Sequence, residues 1–157
     1  MMWDCGHDGN FWGAYALGCL PDDVLAQCED RLAFVSTTES DGRRLTRQFC
    51  QGRDVVVLSE RIVPKGNKSE ADPQVRYFTF AVLHEIAHAY RDHRPPNEIS
   101  PEENDVQEAE ANALAFQWFN DFIRRENRPA LPEFSQAELE QAQTANREAM
   151  LAALGRH

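Results

Sequence analysis

AVLHEIAHAYRDH runs from Ala81 to His93, and two of its histidines, His84 and His88, stand four residues apart with Glu85 directly after the first. On a helix that spacing sets both imidazoles on one face, one turn apart, so their ring nitrogens can converge on one ion. Neutral imidazole is a good ligand for Zn²⁺. Glu85 is rotated about 100° from His84. It is too far round to ligate comfortably, but it can reach a water on the same ion. That is the geometry of H-E-x-x-H hydrolases, in which the glutamate is the general base. The bland alternative is a buried helix with two structural histidines, each of which needs partners for two nitrogens.

A catalytic zinc needs a third protein ligand and an open position. The metzincin spacing asks for glycine at 91 and histidine at 94, where this chain has Arg91 and Arg94. The other common solution is a glutamate on a following helix, and DVQEAEANALAFQWF (105–119) offers Glu108 and Glu110. Glu108 lies 20 residues after His88, enough for one helix to end and a second to return beside it. Ala111, Asn112 and Ala115 share the face of Glu108. The alanines permit close approach of the two helices. Asn112 stands one turn from the ligand, where it can bond the free nitrogen of a histidine. Glu110 points about 200° away, toward solvent or the flank of the helix. The expected ligands are therefore His84, His88 and Glu108, with Asn112 behind them.

Amide hydrolysis also needs a donor for the tetrahedral oxyanion. Tyr77, Tyr90, Arg91 and His93 are near in sequence. Tyr77, two turns before His84 on the same face, is the first choice.

Working outward from this helix, VRYFTFAVLHEIAHAYRDH is apolar on nearly every side, so it should be central and largely buried. RPPNEI (94–99) breaks it. Ser100-Pro101-Glu102-Glu103 is a capping box that opens the second helix, which Arg128-Pro129 stops. Together these metal-site helices occupy 75–127. Ser135 and Glu138 form another capping box and start a C-terminal helix over 135–154.

Upstream, residues 1–20 mix glycines with Trp3, Phe11, Trp12 and Tyr15 without a period, which reads as an irregular aromatic arm over the core. A short helix follows Pro21 and ends near Asp30. Residues 31–63 read as an antiparallel β-meander of three strands: 31–38, then 45–51 after an Asp41-Gly42 hairpin signal, then 54–63 after Gly52-Arg53. The β-branched run of the third strand suggests burial on at least one face. Its edge could pair with an extended peptide. Residues 64–74 form a polar loop. The expected fold is α+β, in one domain of 157 residues.

The formal net charge is −10, with 42% hydrophobic and 27% charged residues. A groove for nucleic acid needs a basic footprint, so this balance argues against such a partner. Arg43, Arg44, Arg47 and Arg53 read as a solvated strand face. No apolar run reaches the roughly 18 residues of a membrane span. There is no signal-peptide pattern at the N-terminus. Cys5, Cys19, Cys28 and Cys50 show no C-x-x-C pairing, so free thiols and a cytoplasmic setting are expected.

HEIAH, a loop, and then EAEANALA resemble the gluzincin class of zinc peptidases, and within it the ImmA/IrrE-type metallopeptidase domain. RYFTFAVLHE is similar to the R-x-F-T stretch that precedes H-E-x-x-H there. The resemblance covers roughly residues 54–119. It implies a zincin-like fold, His84, His88 and Glu108 as zinc ligands, Glu85 as base, and a peptide or protein substrate. A minimal stand-alone gluzincin is equally compatible. The expected activity is peptide-bond hydrolysis by a metal-activated water. The alternatives are a catalytically silent protein-binding module and a zinc hydrolase of a small amide or ester.

Overall fold

DVVVLS, residues 54–59, is buried along its whole length except at Val55. A strand with no solvent face belongs inside a sheet, and in the computed structural model it has a neighbour on each side. The structure describes residues 1–37, 43–45, 52–126 and 131–155. Its strands are β1 (Met2–Asp4), β2 (Leu32–Thr37), β3 (Arg43–Leu45) and β4 (Asp54–Ser59), in the order β1-β2-β4-β3. β1 with β2 and β2 with β4 are parallel; β3 is antiparallel to β4. Leu32 pairs with Asp54 and Thr37 with Ser59.

This corrects the expected three-stranded antiparallel meander. The stretches read as first and third strands are direct, parallel neighbours. Of the expected second strand, 45–51, only Leu45 is described, at the end of β3, and β3 is antiparallel to β4. The reason is burial. Leu32, Phe34, Val56 and Leu58 all enter one core, so the two apolar strands pair centrally and the short, charged Arg43-Arg44 stretch takes the edge. β4 is therefore not the open edge expected to receive a peptide. The Asp41-Gly42 turn, the stretch 46–51 with Arg47 and Cys50, and the Arg128-Pro129 stop lie outside the described residues.

The N-terminal arm is a second correction. It is β1 followed by α1 (Gly6–Leu17). Its glycines and aromatics are a packing pattern rather than a loop signature. Trp3 stacks on Phe34 with ring centroids 4.1 Å apart and planes within 5°. Its other side meets α1 at Gly13, where a Cβ would sit 2.6 Å from the indole. Only glycine admits that approach without a shift.

α2 (Asp22–Cys28) follows Pro21. α3 (Pro73–Tyr90) begins where Asp72 accepts a bond from Gln74 N–H at 2.9 Å, with Pro73 at the first helical position. Ten of its residues are buried, from Val75 to Ala89 and on all sides, so it is the central helix. α4 (Pro101–Arg125) opens with the complete Ser100/Glu103 capping box. α5 (Gln136–Leu154) opens with half of one: Ser135 accepts from Glu138 N–H at 3.2 Å. The Glu138 carboxylate turns to buried Arg76 instead, with contacts of 2.5 and 3.0 Å. Arg76 also donates to Pro132 O at 2.9 Å and lies over the rings of Phe119 and Phe134. The molecule is α+β, and no described helix is long and apolar enough to cross a membrane.

Candidate metal centre

α3 supplies His84 and His88 one turn apart, and α4 returns antiparallel in sequence order to bring Glu108 opposite them. Ala111 and Ala115, on the same face of α4, are fully buried, which lets the two helices close together. His84 Nε2 and His88 Nε2 are 3.0 Å apart. Glu108 Oε2 is 3.3 Å from His84 Nε2, and Oε1 is 3.4 Å from His88 Nε2. Among the described residues, these three form the group of histidine, cysteine and carboxylate side chains able to hold a metal ion.

The spacing can be compared with what an ion requires. Zinc bonds of about 2.0–2.1 Å at the tetrahedral angle put ligand atoms about 3.3 Å from one another. The three separations bracket that value. The donor set, two imidazoles and a carboxylate, is also one that zinc accepts. The Glu108 side chain is 43% exposed against 14–15% for the two histidines. The cluster thus reaches solvent on the Glu108 side.

The charges are arranged for a cation. Burial of His84 disfavours its charged form, yet its hydrogen bond to the Glu108 carboxylate and the charges of Glu85 and Glu108 outweigh it, and its pKa lies above the ordinary histidine value. The hydrogen bonds with His84 and His88 hold the Glu108 carboxyl well below the usual carboxylate range. Glu108 is therefore an anion facing two imidazoles.

Behind the ligands, His84 Nδ1 is 3.0 Å from Asn112 Oδ1, which fixes the ring with Nε2 toward Glu108. His88 Nδ1 is 2.9 Å from His93 Nδ1, and His93 Nε2 is 3.1 Å from Glu110 Oε2. Arg91 Nε lies 3.0 Å from the other oxygen of Glu110. Glu85 is half-buried on α3, close enough for its charge to act on His84.

His84, His88, Glu108 and Asn112 are thus brought together. Tyr77 is not among the groups at the cluster. It lies about 10 Å back along the helix axis and lines a groove with Arg61, Ala142 and Asn146. Tyr90 packs edge-on against Trp118. Glu110 sits on the flank of α4 with His93 and Arg91 as partners. The pairing of His93 with His88 escaped the sequence reading, because it depends on how α3 ends. The available signal was a histidine just past the last turn and a second glutamate two residues from Glu108.

No protein-family model, no curated protein and no solved structure matches this chain, so the functional reading rests on the residues themselves.

Proposed function

We propose that this chain is a zinc-dependent peptidase of the gluzincin type, resembling the ImmA/IrrE-type metallopeptidase domain in a zincin-like arrangement. The observation that carries the reading is the convergence of His84 Nε2, His88 Nε2 and a Glu108 oxygen at 3.0–3.4 Å, with Glu85 at the next helical position. Zinc held there supplies Lewis-acid polarisation of the scissile carbonyl and of the attacking water.

The chain's own residues do the rest. Glu85 accepts the proton of the attacking water on its carboxylate and passes it to the leaving amine. Asn112 holds His84 in orientation. Ala111 and Ala115 set the helix separation that places Glu108. A binding module has no need of a base beside His84, so Glu85 favours catalysis over a silent scaffold. The same reading expects a reducing, cytoplasmic setting, because the cysteines show no C-x-x-C pairing.

The test is metal content followed by activity. Wild type should carry about one zinc per chain, Glu108→Ala should lose it, and Glu110→Ala should still load when zinc is in excess. Glu85→Gln should keep zinc and lose hydrolysis of an unstructured protein substrate. A folded wild type that takes up no zinc would remove the reading.

A further inference from the structure

The two histidines of the cluster are backed by different chemistry. His84 Nδ1 meets a neutral amide, Asn112, at 3.0 Å. His88 Nδ1 meets a second imidazole, His93, at 2.9 Å, and that imidazole meets the Glu110 carboxylate at 3.1 Å. Arg91 steadies the far oxygen of Glu110 at 3.0 Å. The series runs from an exposed arginine to a metal-facing nitrogen through a His93 side chain that is only 6% exposed.

Hydrogen placement along this series is constrained. Two Nδ1 atoms at hydrogen-bond distance share one hydrogen. Suppose both imidazoles are neutral and His93 carries its hydrogen on Nδ1. Its Nε2 lone pair then faces the lone pairs of an ionised Glu110, which is repulsive. With the hydrogen on Nε2 instead, His93 donates to Glu110, and its Nδ1 accepts from His88 Nδ1–H. Both contacts of His93 then have one donor and one acceptor. His88 Nε2 is left as a lone pair beside the Glu108 carboxylate, a repulsion that a cation held between them relieves.

We propose that His93 and Glu110 form a positioning relay that locks His88 in its metal-binding tautomer and orientation and strengthens it as a donor. The inference rests on the cluster being a metal site, and goes beyond it by making the two histidine ligands unequal. Neither relay residue touches the ion; both act through His88.

The backbone is shaped for this contact. α3 closes with His93 N–H donating to His88 O at 3.0 Å and Asp92 N–H to Ala89 O at 3.2 Å, which is the Schellman pattern. Asp92 takes the left-handed position, at φ 52°, where glycine is usual and aspartate is tolerated. Arg31 holds the corner, donating to Ala89 O at 3.1 Å and pairing with the Asp92 carboxylate. The reversal returns the His93 ring over the last turn and onto His88.

The experiment compares zinc affinity, by competition with a chromophoric chelator, across the folded full-length chain and its variants. His93→Phe keeps a ring in the buried site but cannot accept a hydrogen bond, and should weaken zinc binding about tenfold or more. His93→Asn offers a side-chain oxygen to His88 and should recover part of that loss. Glu110→Gln should weaken zinc in the same direction and shift the visible bands of the cobalt(II)-loaded protein. Wild-type affinity in His93→Phe, or no recovery in His93→Asn, overturns the relay while the metal site stands. A wild type that binds no zinc overturns both.

Discussion

Arg76 Nε lies 2.5 Å from Glu138 Oε1, so the helix that carries the two histidines is tied to the first turn of α5 by an ion pair whose arginine is buried. Removing either side leaves the other without its partner. Glu138→Ala strands the buried guanidinium and should cost about 3 kcal/mol of stability in urea unfolding. Arg76→Ala also loses the contacts with Phe119 and Phe134 and should cost at least as much. Replacing both, as Arg76→Met with Glu138→Leu, should recover most of the loss, because a paired charge and an apolar pair are nearly equivalent there.

Asp72 gives the same helix a pH-dependent start. The bond from the Lys68 ammonium, and then the Gln74 N–H, hold its carboxyl below the usual range despite some opposing burial. A depressed folded-state pKa means that the contribution is complete above the unfolded value and is lost as pH falls through the folded one. Asp72→Ala should therefore cost about 1 kcal/mol at neutral pH. The unfolding curves of wild type and variant should converge as the pH drops below about 4.

Gly13→Ala should be destabilising although alanine is the better helix former. The gain in propensity is about 1 kcal/mol. Against it, the new Cβ would meet the Trp3 ring at 2.6 Å, and the ring is pinned on its far side by Phe34. Overpacking of this kind costs about 1–3 kcal/mol. The net loss should be accompanied by a change in tryptophan fluorescence. A more stable variant would show that β1 yields freely.

Zinc should raise the melting temperature of wild type and leave Glu108→Ala unmoved. At a free concentration one hundred times the dissociation constant, binding to the native state alone adds about 2.7 kcal/mol. For a chain of this size that corresponds to roughly 5–10 °C. A chelator should reverse the shift.

The helical half of the molecule was legible in the sequence because its signals are local. Ser100-Pro101 and Ser135 each mark a helix start by their own side chains, whereas Asp72-Pro73, read as the end of the 64–74 loop, caps α3 two residues before its expected start. The i, i+4 spacing of His84 and His88, and the alanine face beside Glu108, also follow from helix geometry. The strands expected at 31–38 and 54–63 are present as β2 and β4, but their parallel pairing was not legible. Asp41-Gly42 is a strong local turn signal, but strand order follows from which strands must be buried, and that depends on partners distant in the chain. Trp3 and Gly13 likewise make sense only against Phe34. His93 was placed among possible donors to substrate because a linear reading does not show that Asp92 adopts a left-handed conformation.

The candidate ligand set is drawn from a shorter reach of the chain than the tie between α3 and α5. His88 and Glu108 are 20 residues apart, whereas Arg76 and Glu138 are 62 apart. By loop-closure entropy alone, joining the nearer pair costs roughly 1 kcal/mol less. α3, the 3₁₀ turn at Pro96–Glu98 and α4 form a helical hairpin whose His88 and Glu108 meet across fewer residues than the tie to α5, and nearer contacts tend to form earlier in folding. The pairing of β2 with β4 bridges a comparable 22 residues, as at Leu32 with Asp54, and that of β1 with β2 bridges 31, as at Met2 with Ala33. An ion captured by the hairpin would therefore act as a clasp on its two helices, favouring their closure before α5 docks on α3.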